Sequence, residues 1–201
     1  MSLEARDVSF GYKRGRMLYE GVSLRVSPGE RVALAAPSGF GKTTLCMLLA
    51  GYLRPWSGEV LVDGSPHPRR GASRVQLIGQ HPEKVLDPRM RMEASLAEAG
   101  AVDEELLCAL GIRDEWMRRF PHELSGGELQ RFCIARAIAA NPRYVVADEI
   151  STMLDALTQV RIWRFICDDA ERSGRGVLFV SHGPALTGRL ATRVVDLTAI
   201  S

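Results

Sequence analysis

The chain has 201 residues, of which 46% are hydrophobic and 25% charged, which is enough for one α/β core with an additional subdomain. Its 26 Lys and Arg residues nearly balance its 24 Asp and Glu residues, and a formal charge of +2 does not indicate a nucleic-acid-binding surface. The longest apolar stretch is shorter than the ~20 residues that span a bilayer. Residues 1–6 lack the apolar segment of a signal peptide. We therefore expect a cytoplasmic protein.

The cysteines and histidines show no spacing typical of a metal site. The four cysteines are far apart and lie in apolar helical runs, which favours buried thiols over disulfides or zinc ligands: Cys46, Cys108, Cys133 and Cys167. Three histidines are interpreted as surface or loop residues: His67, His81 and His122.

Turn signals divide the N-terminal part of the chain into short strands. Residues 27–29, Ser-Pro-Gly, form one break, and the pair Asp63 and Gly64 forms another. The second break follows the short strand-like segment 59–62 and predicts a β-hairpin between it and the next segment.

A glycine-rich loop between a strand and a helix is the first motif with a chemical role. Residues 31–35 are apolar and β-prone, and residues 43–50 have a helical pattern that ends at Gly51. Glycines let backbone amides approach phosphate oxygens, and the helix N-terminus favours an anion. We expect Lys42 to reach the β- and γ-phosphates and Thr43 to bind Mg²⁺ through its hydroxyl. The alternative, a chance glycine-rich turn, does not explain the strand, the helix and the Lys-Thr pair together.

The loop departs from the pattern G-x-x-x-x-G-K-(S/T) at one position, where Ala36 replaces the first glycine. If this position requires a positive φ, the methyl group costs about 1 kcal/mol. Such a cost is compatible with phosphate binding.

The pattern between residues 81 and 140 is mainly helical. Asp103 is positioned to cap a helix over residues 104–110 that Gly111 ends, and Asp114 begins another short helix. Ser125 and Glu128 have the spacing of a capping box at the start of a longer helix. The free amides at this N-terminus could bind the γ-phosphate of an ATP held by another subunit.

Two acids follow an apolar strand in the C-terminal third of the chain. Residues 143–147 form this strand, and Asp148 and Glu149 end it. In P-loop enzymes an aspartate here holds the Mg²⁺ shell, and a following carboxylate can orient or deprotonate the attacking water. We therefore predict Asp148 on the metal and Glu149 as the base. Solvated acids at a strand exit are the alternative, which the upstream loop disfavours.

The order of these motifs over almost the whole chain resembles the ATP-binding cassette (ABC) family. The resemblance implies an α/β fold, a P-loop NTPase cassette with a RecA-like core, an antiparallel β subdomain and an inserted α-helical subdomain. It implies one ATPase domain over residues 1–201, in which 1–80 and 141–201 form the core with the β subdomain and 81–140 form the helical signature subdomain. The later strands, 177–180 and 193–197, fit this order.

The resemblance also assigns single residues. Tyr12 is similar to the aromatic residue that stacks on adenine, with Phe10 or Tyr19 as alternatives. Gln80 resembles the glutamine that senses Mg²⁺ and the γ-phosphate, and His182 the switch histidine. Asp155 matches the aspartate of the dimer interface and is also placed to cap the helix that follows. The complete expectation is catalytic roles for Glu149, His182, Lys42 and Gln80; ATP binding by Tyr12, Pro37, Ser38, Gly39, Phe40, Gly41, Lys42, Thr43, Thr44, Ser125, Gly126, Gly127 and Asp155; and Mg²⁺ binding by Thr43, Gln80 and Asp148.

Within the family, the segments around Gln80 and before Ser125 are similar to the dipeptide, oligopeptide and nickel importers. This likeness implies an ATPase on the inner face of the cell membrane, paired with a second ATPase subunit and with permeases fed by a solute-binding protein. Peptide, nickel or metal-chelate cargo, and a homodimer or a heterodimer, remain open. There are two alternatives. One is a hydrolysis-impaired subunit that binds ATP in a structural or regulatory role, which would be favoured by Ala36 and by Ile150, where the family generally has proline. The other is a non-transport ABC ATPase.

Overall fold

The computed structural model describes residues 1–13, 15–68, 71, 73–181 and 183–200. In this part of the chain the strands form one antiparallel and one parallel sheet. In chain order they are β1 (Leu3–Phe10), β2 (Tyr19–Val26), β3 (Arg31–Ala35), β4 (Ser57–Val62), β5 (Ser65–Pro66), β6 (Val75–Ile78), β7 (Tyr144–Asp148), β8 (Gly176–Val180) and β9 (Arg193–Asp196).

Most of the helices lie between β6 and β7 or follow β7. The α-helices are α1 (Lys42–Leu49), α2 (Met92–Ala97), α3 (Glu104–Leu110), α4 (Asp114–Met117), α5 (Gly126–Ala139), α6 (Ala156–Ser173) and α7 (Pro184–Leu190). Short 3₁₀ turns occupy Pro82–Lys84, Pro121–Glu123 and Leu197–Ala199. In the residues described, no helix is both long enough and apolar enough to cross a bilayer.

The antiparallel sheet has the order β2-β1-β4-β5 and covers one face of α1. Strand β2 alternates between buried and exposed side chains, as expected of a strand with one face on the core. The predicted hairpin is confirmed, because Asp63 and Gly64 connect β4 to β5.

The parallel sheet has the order β6-β7-β8-β3-β9 and places the chemically interesting residues at one edge. All residues of β7 and β8 are buried, as is typical of parallel strands covered on both faces. The glycine-rich loop follows β3, Gln80 follows β6, and Asp148 ends β7. Since the strands are parallel, these three segments leave the sheet at the same edge, where ligands of open α/β sheets bind.

Two apolar clusters hold the layers together. One contains α1 and side chains of both sheets, including Leu45, Val22 and Val146, so α1 lies between the sheets. The other joins the opposite face of the parallel sheet to α5, α6 and the shorter helices, with Phe132, Trp163 and others buried in it.

The capping predictions are confirmed. Asp103 accepts a hydrogen bond from the Leu106 amide at the start of α3, and Gly111 follows its end. Ser125 and Glu128 form the capping box of α5. Asp155 accepts a hydrogen bond from the Thr158 amide and begins α6.

The prediction of four buried thiols is wrong for two of them. Cys46 and Cys133 are buried, whereas Cys108 is exposed and Cys167 is half-buried. The pattern of α3 placed Cys108 on an apolar run, but that short helix buries only Leu106 and Leu110. Its surface therefore carries a free thiol.

Candidate functional site

The glycine-rich loop is shaped by glycine conformations and by a tyrosine from the antiparallel sheet. Gly39 and Gly41 have φ values of 79° and 94°, in the left-handed region that disfavours side chains. The Tyr19 hydroxyl donates to the Gly41 carbonyl, and a Cβ at Gly41 would contact that hydroxyl and lie 2.9 Å from Leu18 Cδ2. A larger residue at position 41 would therefore push the loop away from its support.

Ala36 does not have a positive φ. Its methyl group therefore avoids the strain that a glycine-specific conformation would impose. The loop reaches its shape through Gly39 and Gly41 instead.

Lys42 is buried, and its ammonium group is directed into the loop. Its Nζ donates to the carbonyls of Ala36 at 2.9 Å and Pro37 at 3.1 Å. An ammonium has three donors, so these two bonds hold the charge beside the loop amides. The arrangement presents a cation and helix N-terminal amides to the same small cavity.

Glu149 lies against this loop although the two are more than one hundred residues apart in sequence. A cavity of about 220 Å³ is lined by Ser38, Gly39, Gly41, Lys42, Thr43 and Glu149. Glu149 has a φ of 51°, a conformation that costs a non-glycine residue of order 1–3 kcal/mol and is often found at functional sites. Its amide donates to the Val180 carbonyl at 3.3 Å, which ties the turn to β8.

Asp148 is only 3% exposed, and its carboxylate affects the pKa of the nearby Cys46 thiol. Burial raises the pKa of Cys46 well above its usual range, and the Asp148 carboxylate raises it further, while Lys42 acts in the opposite direction. Asp148, at the end of β7, therefore lies near Cys46 of α1. Ile150, where the family resemblance leads us to expect proline, is a 1% exposed core residue.

Of the three aromatic candidates for the adenine platform, Tyr12 has the exposed ring. Phe10 and Tyr19 are 6% and 1% exposed, whereas Tyr12 is 67% exposed. The Tyr12 hydroxyl lies 2.9 Å from Thr44 Oγ1 in the first turn of α1, so its ring is attached beside the loop. Phe10 packs edge-on against Tyr12 with a 5.2 Å centroid distance.

Gln80 is half-buried, and the carbonyl of the residue before it, Gly79, is hydrogen-bonded to the long helix α5. The Gln130 side chain is buried and donates to the Gly79 carbonyl at 3.1 Å. No local sequence signal indicated this link, because the two residues are 51 positions apart.

The residues from Ser125 to Gly127 line a different cavity from the one beside the glycine-rich loop, which we also call the phosphate loop. This open cavity of about 610 Å³ also contains Asp155, Met153, Leu154 and side chains from around α4. Gly127 is closely packed, since a Cβ there would lie 3.3 Å from Leu154 Cδ2 and from the Met153 carbonyl. Hydrogen bonds from the Thr158 hydroxyl and amide lower the pKa of Asp155.

The expected residues thus form two groups within one chain. The loop, Thr43 and Glu149 line one cavity, with Asp148 next to Glu149 in the chain at the end of β7. The residues from Ser125 to Gly127 line another cavity together with Asp155. His182 lies outside the described residues.

The chain matches a family profile described as ABC transporter over residues 19–152. It is 35% identical to a putative peptide import ATP-binding protein of Brucella abortus, over 96% of this chain and 66% of that protein. It is 36% identical to the glutathione import ATP-binding protein of Pectobacterium atrosepticum, over 87% of this chain and 31% of that protein. The chain therefore spans between about one third and two thirds of these relatives.

Solved structures show the same fold. A dimeric bacterial ABC transporter cassette superposes with a TM-score of 0.82 and 26% identity, covering 96% of this chain and 93% of that one. A post-hydrolysis dimer of an ATP-binding cassette bound to ADP and Pi superposes with a TM-score of 0.81 at 24% identity, over 96% and 93% of the two chains. The family profile covers well over half of the residues. The chain belongs to the ABC transporter family, and its fold is the α/β cassette of that family.

Proposed function

We propose that this chain binds ATP with Mg²⁺ and hydrolyses ATP to power the import of a peptide-class solute. The observation that carries the proposal is the cavity shared by the phosphate loop and Glu149. A cation, helix N-terminal amides and a carboxylate face one space, which suits a triphosphate and an attacking water.

The residues expected to bind Mg²⁺ all carry oxygen donors. Thr43 lines the cavity and offers a hydroxyl, whereas Asp148 offers a buried carboxylate at the end of β7 and Gln80 an amide oxygen after β6. Oxygen ligands are those that Mg²⁺ prefers. When bound, Mg²⁺ would neutralise charge on the phosphate oxygens. Lys42 would hold the β- and γ-phosphates, and Glu149 would accept the proton of the attacking water. We assign the γ-phosphate contact of His182 by family resemblance alone.

The second group of residues supports a dimeric mechanism. Ser125, Gly126, Gly127 and Asp155 line a cavity that does not include the chain's own phosphate loop. We propose that this surface, carried by a helical signature subdomain over residues 81–140, closes on an ATP bound by a second cassette. The partner is a copy of this chain or a related subunit.

The names of the relatives support a proposal for cargo and location. Because two similar proteins are named peptide and glutathione importers, we propose a peptide-class solute, membrane permeases and a solute-binding protein as partners. The chain would then act on the inner face of the membrane. Nickel and metal chelates remain predictions from sequence resemblance.

Hydrolysis and binding can be separated with two variants. Glu149→Gln keeps the size and hydrogen bonding of the side chain but removes the base, so it should bind ATP normally and lose steady-state hydrolysis. Lys42→Ala should lose both binding and hydrolysis, because the phosphates lose their cation.

The measurements are ATP titration and phosphate release, with and without candidate permeases. Unchanged hydrolysis by Glu149→Gln would reject its role as the base. A native chain that binds ATP without any turnover in both conditions would favour the structural or regulatory alternative.

A further inference from the structure

Trp56 packs against Phe10, the ring that also contacts Tyr12, although it belongs to no motif recognised in the sequence. It immediately precedes β4, and its amide donates to the Ser9 carbonyl of β1 at 2.8 Å. A Cβ at Gly11 would lie 2.8 Å from Trp56 Cη2 and would also contact the Arg16 carbonyl. Position 11 therefore needs glycine for the indole to lie this close to the end of β1.

One buried ring supports two exposed rings. Phe10 contacts Tyr12 edge-on at 5.2 Å and contacts Trp56 at 6.2 Å with an interplanar angle of 44°. Phe10 is 6% exposed, whereas Tyr12 is 67% and Trp56 is 47% exposed. The result is an aromatic surface of two rings, Tyr12 and Trp56, which both pack on Phe10 and are both open to solvent.

This aromatic surface is attached to the start of α1. The Tyr12 hydroxyl lies 2.9 Å from Thr44 Oγ1, two residues after the phosphate-binding Lys42. Tyr19, at the start of β2, donates a hydrogen bond to the carbonyl of Gly41, the residue before α1. A nucleotide with its phosphates on the loop therefore has an aromatic surface within the same part of the molecule for its base.

We propose that Trp56 is the second aromatic contact of the nucleobase site and, with Tyr12, favours purine over pyrimidine triphosphates. The proposal rests on ATP binding at the loop, as proposed above. Every base has a π-face that stacks on aromatic side chains, and a purine offers a larger one than a pyrimidine. Two exposed rings that pack on the same side chain can cover more of a purine than Tyr12 alone.

The first experiment measures dissociation constants of the full chain for ATP, CTP and inorganic tripolyphosphate. Stacking contributions predict that Trp56→Ala weakens ATP binding about five- to tenfold. The loss for CTP should be smaller, and tripolyphosphate, which has no base, should bind unchanged. Trp56→Phe should stay within about twofold of the native chain.

Two variants serve as controls. Tyr52→Ala removes a 70% exposed aromatic ring in the preceding turn that has no ring contact with Phe10, Tyr12 or Trp56 in the described chain, and it should bind all three ligands normally. Tyr12→Ala should weaken ATP binding at least as much as Trp56→Ala. Circular dichroism establishes that each variant is folded.

The second experiment needs no variant. Trp116 and Trp163 are 4% and 2% exposed, so acrylamide quenching of the native chain reports mainly on Trp56. ATP should shield this fluorescence from acrylamide, and tripolyphosphate should not. If Trp56→Ala fails to fold, the shielding result still decides the matter.

The outcomes separate the two proposals. ATP binding that requires Lys42, with native affinity in Trp56→Ala and no shielding, would overturn the role of Trp56 and leave the proposed function intact. ATP binding that is equally strong in Lys42→Ala would instead reject the phosphate site itself.

Discussion

The contact between Tyr19 and the Gly41 carbonyl holds the phosphate loop through a single hydroxyl. Burial raises the pKa of Tyr19 above its usual range, so the hydroxyl keeps its proton and remains a donor at physiological pH. The Gly41 carbonyl also accepts the Leu45 amide at 3.0 Å, which limits the cost of losing the tyrosine bond.

We expect Tyr19→Phe to lower the free energy of unfolding by about 1 kcal/mol and to weaken tripolyphosphate binding. Tyr12→Phe removes a hydroxyl from an exposed ring and should change tripolyphosphate binding much less. Denaturant unfolding and calorimetric titration test the prediction. Equal effects of the two substitutions on tripolyphosphate would show that Tyr19 does not position the loop.

Cysteine reactivity should report on the surroundings of the loop. Burial and the Asp148 carboxylate raise the pKa of Cys46, so this thiol stays protonated and inaccessible at pH 8. We expect iodoacetamide to modify the exposed Cys108 in the native chain and Cys46 only after unfolding. Peptide mass spectrometry over time measures both, and early labelling of Cys46 in folded protein would contradict the structure.

At the scale of elements, Asp63 joins the two sheets. It lies in the turn between β4 and β5 and accepts hydrogen bonds from Tyr144 at 2.9 Å and Arg143 at 3.0 Å, at the start of β7. Burial alone would raise the pKa of Asp63, but the Tyr144 hydroxyl and the charges of Arg143 and Arg74 outweigh it, so the pKa is lowered.

Asp63→Asn isolates this charge, because asparagine tolerates the φ of 54° at this position. We expect a loss of about 1–2 kcal/mol in the free energy of unfolding at pH 7. A lowered pKa stabilises the fold above the unfolded value of about 3.9, and this contribution is lost as pH falls through the folded value. Unfolding of both proteins at pH 7 and pH 3 should show the difference shrinking; a constant difference would contradict the charge-based account.

The elements with local signals were predictable from sequence, and those that depend on distant contacts were not. Three helix starts were predictable from a capping residue and its neighbours within four positions: Asp103, Ser125 and Asp155. Strand β3 has the bounds expected from its apolar run. Tyr19 supports a glycine 22 residues away, and Trp56 reaches Phe10 only through the pairing of β4 with β1. No pattern along the chain encodes such contacts.

At the scale of the whole molecule, the proposed closure of the surface from Ser125 to Gly127 on a partner's ATP can be tested with a matched pair of variants. A Cβ at Gly127 lies 3.3 Å from Leu154 Cδ2, so any side chain there crowds its own chain slightly. Gly127→Ala and Gly127→Asp share this crowding and differ in charge.

We expect Gly127→Asp to bind ATP as a monomer but to lose ATP-dependent dimerisation, because its carboxylate would meet the partner's γ-phosphate. Gly127→Ala should retain much of the dimer. Size-exclusion chromatography with ATP, in a Glu149→Gln background that prevents turnover, measures the difference. Loss of monomeric ATP binding in Gly127→Asp would show that the segment serves its own site.

The hydrogen bond from Gln130 to the Gly79 carbonyl connects the backbone before Gln80 to helix α5, which begins at Gly126. A rotation of α5 must carry that backbone with it or break a bond made by a buried amide. Coupling free energies act equally in both directions. If bound ATP makes one orientation of α5 more favourable, then a membrane protein that selects this orientation increases ATP affinity by the same factor, without contacting the nucleotide.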